Sequence, residues 1–372
     1  MSGTDQRAPT ICVYGATGYT GRLVAAELAA ADLDFVLAGR NEEKLEALAR
    51  EVGAGRTKAV ALDEPNGLRT LLEPCAAVIA CAGPFAIHGE PVARAAAETG
   101  THYVDTTGEQ GFMKFVFDEL GPVAERNGSA LVTAMGFDYV PGDMIGALTA
   151  AGMGELEEIS FAYAVSGFGP SRGTATTALG QMSDGDVQWL EGQYVEADRS
   201  VSRGKYTFPE PIGVERMTRY PAGEHITIPR HVKARTVRTL LNASATTPLP
   251  IAAPVVMPAI QLALRTPLRR GLEAAVGRLP EGPKPEDRRA ARFTIVCDAR
   301  SGARRRRGVI RGEDVYGLTA RCVAVAARRL ATPGFERRGA LAPSQAFAPK
   351  EFLAELADFG VEWEVRPISS SA

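Results

Sequence analysis

The sequence of 372 residues lacks several patterns that would assign it to a specialised class of protein. Its five cysteines form no C-x-x-C pair and no metal-ligand spacing, so neither a disulfide framework nor a metal site is predicted. The formal net charge of −2 argues against a dedicated nucleic-acid binder. We therefore expect reduced thiols, no bound metal and no nucleic-acid partner.

Long apolar runs are also scarce. Residues 1–9 are polar and lack the apolar core of a signal peptide. The most apolar later stretch, residues 248–264, contains four prolines and is shorter than a comfortable membrane span. We therefore expect a cytoplasmic protein without an integral membrane segment. Because the stretch is almost uncharged, it could line an apolar pocket, form a homodimer contact or be an irregular piece of core.

What the sequence does contain is a regular alternation of strand-like and helix-like segments over its first part. Hydrophobic residues make up 45% and charged residues 23%, as in ordinary globular proteins. Strand, helix and strand in this order predict an α/β fold with a doubly wound parallel sheet. The rhythm changes after residue 137, where a predicted helix over 174–190, a predicted hairpin over 292–311 and mixed segments indicate a second, α+β lobe.

The clearest motif joins the first predicted strand to the first predicted helix, and it reads Gly15-Ala16-Thr17-Gly18-Tyr19-Thr20-Gly21. Gly15 permits a tight turn, Gly18 lets the backbone approach a pyrophosphate, and Gly21 lets the helix pack closely on the sheet. The helix N-terminus also favours an anion. The motif therefore predicts a Rossmann-type dinucleotide site; the alternative is a tight turn in an α/β protein without a cofactor.

The end of the second strand indicates which dinucleotide binds. An NAD site usually has an acidic residue there for the ribose 2′-hydroxyl, whereas an NADP site uses a cation for the 2′-phosphate. This sequence has no carboxylate at the strand tip and has Arg40 instead, whose guanidinium suits a phosphate. NADP(H) is therefore the predicted cofactor; the alternative is that Arg40 is only a solvated cation.

Two further loops follow predicted strands at the edge where open α/β sheets bind ligands. The residues expected to contact the cofactor there are Cys81, Ala82, Gly83, Pro84 and Phe85 in one loop, and Asp105 and Gly108 in the other. Asp105 and Glu109 are expected to face the same crevice. For each carboxylate, the alternative is a structural role in a cap or a buried turn.

Several of these motifs together resemble the saccharopine dehydrogenase-like family, and more narrowly its trans-acting enoyl reductase branch. The stretches that carry the resemblance are the glycine motif, 38–40, 83–85, 103–105, 108–109, 136–138 with Pro141, 279–283 with Arg288, 314–320 and 342–343. The resemblance implies an NADP-binding Rossmann lobe, a second α+β lobe and the reduction of an imine or enoyl group. Tyr139 departs from the family, which often has serine there.

A nicotinamide reductase needs a group that supplies a proton or stabilises developing charge. No Tyr-x-x-x-Lys arrangement occurs, so short-chain dehydrogenase catalysis is not predicted. Asp138 and Tyr139 follow the sixth predicted strand and are the predicted catalytic residues; the alternative for Tyr139 is a ring packed beneath the loop. The other polar candidates are His102, Tyr163, His225 and His231.

Together these patterns predict three segments and one main function. The segments are an NADP-binding Rossmann domain over 1–140, an α+β substrate or dimerisation domain over 141–315, and C-terminal helices over 316–372 that pack back on the first domain. The predicted function is NADPH-dependent reduction of a conjugated C=C bond in an apolar or carrier-bound acyl substrate. The alternatives are imine reduction and a non-catalytic NADP-binding protein. The run Arg304–Arg307 is either a solvated hairpin tip or a docking site for an acidic carrier protein.

Overall fold

The computed structural model describes residues 10–53, 55–181, 186–197, 204–220, 222–246, 266 and 269–368. The chain divides into two compact units. Unit 1 comprises the described residues up to 107 together with 114–136 and 319–341, and unit 2 comprises 108–113, 137–318 and the residues from 342 onward. The expected C-terminal segment, 316–372, is thus shared between the two units.

The described strands, numbered along the chain, alternate with helices in the first 132 residues and then run mostly in succession. They are β1 (Ile11–Tyr14), β2 (Phe35–Gly39), β3 (Arg56–Ala59), β4 (Ala77–Ala80), β5 (His102–Asp105), β6 (Ala130–Val132), β7 (Leu156–Ser166), β8 (Val187–Leu190), β9 (Gln193–Glu196), β10 (Lys205–Thr207), β11 (Val214–Arg219), β12 (Ala234–Asn242), β13 (Arg292–Ser301), β14 (Arg304–Glu313), β15 (Gly339–Leu341) and β16 (Glu362–Pro367).

The described helices range from one turn to more than four. They are α1 (Tyr19–Ala30), α2 (Glu42–Val52), α3 (Pro65–Leu72), α4 (Phe85–His88), α5 (Glu90–Thr99), α6 (Gln110–Phe115), α7 (Gly121–Asn127), α8 (Val140–Ala150), α9 (Arg172–Gln181), α10 (Glu224–Thr227), α11 (Ala243–Thr246), α12 (Arg269–Gly277), α13 (Pro285–Ala290), α14 (Val315–Ala331), α15 (Pro343–Ala346) and α16 (Pro349–Ala354). A π-helical turn covers Val116–Leu120, and 3-10 turns cover Ile228–Arg230 and Ala357–Phe359.

Unit 1 contains a parallel sheet in which seven described strands have the order β15-β6-β5-β4-β1-β2-β3. Strands β2 and β3 lie on one side of β1, and β4, β5, β6 and β15 lie on the other side. Both β1 and β4 are buried along their whole length, as expected of uniformly apolar strands covered on both faces. The predicted doubly wound sheet is confirmed, and its strand order reverses between β1 and β4, where such sheets bind ligands.

Unit 2 is built on a mixed sheet of seven described strands in the order β10-β11-β12-β7-β13-β14-β16. Only β12 and β7 run parallel to each other among these described pairs; the other neighbours are antiparallel. The predicted hairpin is β13–β14, with Ser301 opposite Arg304 around Gly302. A second, α+β lobe is therefore confirmed.

Two sequence-based expectations differ from the structure, and a third falls outside the described residues. The helix predicted over residues 174–190 ends at Gln181, and residues 187–190 form strand β8. The C-terminal segment, predicted as helices, also contains β15 and β16, which pair with β6 and β14 respectively. Short strands such as β15 carry no periodic signal of their own, because partners distant in sequence determine them. The apolar stretch 248–264 lies outside the described residues.

Candidate functional site

The glycine motif in unit 1 is shaped by close contacts between backbones. Gly15 has a φ of 80°, a left-handed conformation that favours glycine, and a Cβ there would lie 2.8 Å from the Ala82 amide nitrogen. A Cβ at Gly21 would lie 2.7 Å from the Ala16 carbonyl oxygen. The loops that follow β1 and β4 therefore touch, and α1 packs directly on the loop before it, as predicted for these two glycines.

Gly18 is required neither for backbone conformation nor for internal packing. Its φ of −74° is open to any residue, and a Cβ would find its nearest neighbour, the Gly15 carbonyl oxygen, at 3.4 Å. Gly18 is exposed and is the N-cap residue of α1, whose first turn has no acidic side chain. The open space in front of a helix N-terminus fits a pyrophosphate that approaches the backbone closely.

Arg40 follows β2 immediately and is exposed. No ion pair involving Arg40 occurs in the part of the chain that the structure describes. Burial raises the pKa of Tyr14, at the end of β1, to about 12, and the positive charge of Arg40 opposes this rise. A guanidinium at the tip of β2, near the end of β1, fits the 2′-phosphate of NADP(H).

The loop after β4 supplies backbone next to the glycine motif rather than reactive side chains. Phe85 is buried, whereas Cys81, Ala82 and Pro84 are partly exposed and Gly83 is exposed. Burial, helped by the nearby Asp105, raises the pKa of the Cys81 thiol to about 12, so this thiol is not a nucleophile at neutral pH. Cofactor contact by these five residues stays a prediction.

Asp105 is a structural brace between neighbouring strands of unit 1. Its buried carboxylate accepts hydrogen bonds from the Thr107 amide at 2.9 Å, the Ala134 amide at 2.8 Å and the Thr133 hydroxyl at 2.9 Å. Burial raises its pKa to about 6 against these bonds, which lower it. The geometry favours the structural alternative for Asp105, and the predicted cofactor contact stays a prediction.

Gly108 and Glu109 belong to unit 2, apart from the glycine motif with which they were grouped. Gly108 accepts a hydrogen bond from Tyr139 through its carbonyl oxygen, at 2.8 Å. Glu109 is buried and accepts a hydrogen bond from the Thr177 hydroxyl at 3.3 Å. These observations add structural roles for both residues.

Tyr139 is fully buried, as the alternative given for it expected. Its hydroxyl donates a hydrogen bond to the Gly108 carbonyl oxygen and lies near the hydroxyl of Tyr220, and its ring packs so closely on Gly223 that a Cβ there would lie 2.8 Å from the ring. Burial raises the pKa of Tyr139 well above its ordinary value. A phenol engaged in this way is a poor direct proton donor, whereas Tyr220, which is partly exposed, adjoins it.

Around Asp138, the structure gathers acids and phenols that lie far apart in the sequence. We call them the acid–phenol cluster, and its members are Asp138, Tyr139, Tyr163, Tyr220 and Glu224. Asp138 remains accessible to solvent, yet desolvation by the surrounding protein raises its pKa to about 6. Burial raises the pKa of Glu224 to about 8. Two carboxyl groups with different raised pKa values are a recurrent arrangement for proton transfer.

Sequence reasoning identified Asp138, Tyr139 and Tyr163 but missed Tyr220 and Glu224. Glu224 lies in a one-turn helix after a strand, and no motif spacing marks it. Full burial of a glutamate is rare unless it is paired, so burial is the signal that finds it, and burial requires the structure.

The three histidines considered from the sequence have structural partners. His102 accepts a hydrogen bond from the Ala130 amide at 3.0 Å. His225 accepts one from the Trp189 amide at 3.1 Å, and burial lowers its pKa to about 4, so it is neutral. His231 pairs with the buried Asp143 at 2.8 Å, and although burial opposes the change, that charge raises the pKa of His231.

The run Arg304–Arg307 is mostly engaged within unit 2. Arg306 donates to two carbonyl groups at the C-terminal end of α8, and Arg304 donates to the Gly152 and Met153 carbonyls just beyond that helix. Arg307 forms two hydrogen bonds with Asp298 at 2.7 and 2.8 Å. Cations at a helix C-terminus are favoured by its dipole. These contacts give the run a structural role and leave few of its side chains available to bind an acidic carrier.

No described helix has the length and apolar character needed to cross a bilayer.

Comparison with known proteins identifies the nucleotide-binding part of the chain. A family model described as the saccharopine dehydrogenase NADP binding domain matches residues 11–135. This segment is therefore similar to the NADP-binding domain of saccharopine dehydrogenases. The predicted resemblance and the predicted cofactor, NADP(H), are thereby confirmed, and the glycine loop and Arg40 described above are the residues that fit that cofactor.

Two relatives and one solved structure extend the comparison. The chain is 29% identical to a saccharopine dehydrogenase-like oxidoreductase of Rattus norvegicus over 38% of the chain and 37% of that protein. It is 35% identical to the putative trans-acting enoyl reductase Rv2449c of Mycobacterium tuberculosis over 46% of the chain and 44% of that protein. The matches thus span less than half of each relative. A saccharopine dehydrogenase (L-Glu forming) from Saccharomyces cerevisiae has the same fold, with a TM-score of 0.63 at 14% identity over 97% of this chain and 100% of that one.

Proposed function

We propose that this protein is an NADPH-dependent oxidoreductase that reduces a conjugated C=C bond in an apolar or carrier-bound acyl substrate. The NADP-binding domain and the names of both relatives support an oxidoreductase, and one of those names is an enoyl reductase. NADPH supplies a hydride when it is bound. The β-carbon of the double bond takes the hydride, and the α-carbon takes a proton.

The observation that carries the choice of substrate is the composition of the acid–phenol cluster. Among the described residues, no lysine or arginine bonds to Asp138 or to the other four members. A buried amino-acid carboxylate needs a paired cation, because an unpaired buried charge is costly. A cluster of acids and phenols instead suits an uncharged acyl substrate whose enolate receives a proton.

The residues of unit 1 have binding roles in this proposal. The backbone of 15–21 holds the pyrophosphate and Arg40 holds the 2′-phosphate. Cys81 and Ala82 border the glycine motif, and their small side chains favour close approach of the cofactor. In unit 2, Asp138 is the proposed catalytic residue, and the buried Tyr139 is proposed to position the more exposed Tyr220 that lies beside it.

The experiment is NADPH oxidation by the full chain with a matched panel of acceptors: an apolar enone, an enoyl thioester, an imine of an amino acid, and none. Turnover with the enone or thioester is expected. Turnover confined to the imine would move the assignment to C=N reduction, the alternative that the sequence leaves open. NADPH binding without any turnover would favour a non-catalytic protein. If Tyr139→Phe leaves turnover unchanged, Tyr139 takes no part in proton transfer.

A further inference from the structure

Glu224 is a fully buried acid, and only one of its two carboxyl oxygens is hydrogen bonded among the described residues. Its Oε1 hydrogen bonds to the Tyr163 hydroxyl, while its Oε2 has no hydrogen-bond partner among the described residues. An ionised carboxylate in this position would lack both a cation and half of its hydrogen bonds, which is costly in a buried site. Burial accordingly raises the pKa of Glu224 from 4.5 to about 8.

The hydrogen bonds around Tyr163 indicate independently that Glu224 is protonated. The Tyr163 hydroxyl lies 3.1 Å from the Asp138 carbonyl oxygen and also contacts Glu224 Oε1. A carbonyl oxygen can only accept, and a phenol has a single proton to donate. If Glu224 were ionised, two acceptors would compete for that proton. If Glu224 is protonated, it donates to Tyr163, and Tyr163 donates to Asp138, so both bonds form.

The first turn of α8 is shaped around this pair. A Cβ at Gly142 would overlap both Glu224 Oε1 and the Tyr163 hydroxyl, so only glycine leaves room for them. The pair therefore contacts the segment 138–142 at both ends, through the Asp138 carbonyl and through Gly142. This segment carries Asp138 and Tyr139, the two residues that the proposed function assigns to proton transfer.

We propose that Glu224 is a positioning residue whose proton fixes Tyr163 and, through it, the segment that carries Asp138 and Tyr139. Loss of this proton turns the Tyr163 hydroxyl toward the carboxylate and releases the Asp138 carbonyl. This inference rests on the proposed function only in that the proposed function places the segment 138–142 in the catalytic site. Among the described residues, the ionisable groups that interact with Glu224 are acids, phenols and one thiol. They are Tyr163 from β7, Asp143 from α8, Asp138 and Tyr139 before α8, Tyr220 after β11, and Cys297 from β13. His231 is instead paired with Asp143.

The first test needs no substrate. The infrared band of protonated carboxyl groups is followed in the full chain as the pH rises from about 6 to about 10, in the wild type, in Glu224→Gln and in the exposed control Glu196→Gln. The wild type and the control should lose one carboxyl band with a midpoint near pH 8, and Glu224→Gln should lack that component. Identical titrations in all three proteins would overturn the proposal.

The second test measures the segment itself by hydrogen exchange of the peptide that covers residues 138–143. Below about pH 7, the wild type and Glu224→Gln should exchange at equal rates, because glutamine preserves a neutral donor. Above about pH 8, the wild type should exchange faster than the variant, since only its side chain ionises. Equal rates at every pH would overturn the positioning role even if the infrared titration succeeds.

Thermal unfolding provides a check against a variant that simply folds poorly. Because the pKa of Glu224 is raised from 4.5 to about 8 in the folded protein, its stabilising effect is fully present below about pH 4.5 and is lost as the pH rises through about 8. The unfolding temperature of the wild type should therefore fall relative to that of Glu224→Gln across this window. A constant difference would contradict the proposal.

The failure of this inference differs from a failure of the proposed function. If the infrared and exchange results hold but no acceptor is reduced, the reductase assignment is wrong and the role of Glu224 in the segment stands. If an acceptor is reduced, kcat/KM of the wild type should decline above about pH 8 and that of Glu224→Gln should not. A shared decline in both proteins would remove Glu224 from the reaction.

Discussion

The two units carry their candidate residues in different ways. In unit 1 they form short contiguous runs, 15–21 and 81–85, each directly after a parallel strand. In unit 2 the acid–phenol cluster draws single residues from positions between 138 and 224, on separate elements. A cofactor held by backbone leaves a glycine spacing in the sequence, whereas a cluster held by tertiary contacts leaves none. The local fold around the glycine motif is therefore the part that sequence reasoning predicts well, and the cofactor contacts of its residues stay a prediction.

The largest expected effect tests whether the glycine spacing in unit 1 reflects packing or ligand contact. Gly21→Ala places a Cβ 2.7 Å from the Ala16 carbonyl, where backbone must move, and we expect a loss of stability of about 1–3 kcal/mol or more. Gly18→Ala is the matched control, because its nearest neighbour is at 3.4 Å, and its stability should change by at most about 0.5 kcal/mol. Denaturant unfolding measures both, and equal losses would contradict the division of roles between the two glycines.

The same comparison in unit 2 uses Gly142→Ala. The new Cβ overlaps Glu224 and Tyr163, so a destabilisation of about 1–3 kcal/mol is expected. Gly111→Ala, in α6, meets no atom within 4 Å and serves as the control, with unchanged or slightly raised stability. If both variants unfold alike, the tight packing assigned to the cluster is wrong.

Arg40→Asp tests the nucleotide specificity of unit 1. Loss of charge-assisted hydrogen bonds to the 2′-phosphate should cost about 1.5–3 kcal/mol per bond in NADPH binding, with little change for NADH. Arg126→Asp, at an exposed position in α7, is the charge-matched control. Calorimetric titration measures both ligands, and equal weakening by the two variants would indicate a general electrostatic effect instead.

The smallest expected effect concerns the arginine run. Arg306 donates to the Thr149 and Ala151 carbonyls at 3.1 and 2.7 Å, so Arg306→Ala should destabilise unit 2 by about 0.3–1 kcal/mol. Arg305 is exposed and makes no side-chain hydrogen bond among the described residues, so Arg305→Ala should be neutral. A larger loss from Arg305→Ala in chemical unfolding would contradict the helix-capping role.

The parts of the fold that sequence reasoning recovered are those with local signals. Strand β1, the glycine motif and α1 follow from apolar runs and glycine spacing, and β13–β14 follows from alternation around Gly302. The pattern over 174–190 was misread as one helix, because a short amphipathic strand such as β8 also places apolar residues at helix-compatible intervals. The three residues of β15 were missed because β6 alone determines them.

The candidate site divides in the same way. Gly15, Gly21 and Arg40 have the surroundings that their motif predicted, since the ligand geometry fixes residue type and spacing. Asp105 and Tyr139 were selected by position after a strand, yet both are buried and fully hydrogen bonded. Position along a strand predicts proximity to an edge of the sheet, but it does not predict whether a side chain turns outward or braces its own loop.

The most direct test of this account is a calorimetric titration of the full-length chain with NADPH and, separately, with NADH. An exposed Arg40 at the tip of β2, where an NAD site usually has an acidic residue, predicts that NADPH binds at least about tenfold more tightly, a difference of about 1.4 kcal/mol. Binding of NADH as tight as that of NADPH would contradict the assignment of Arg40 to the 2′-phosphate, and with it the reading of unit 1 as an NADPH site.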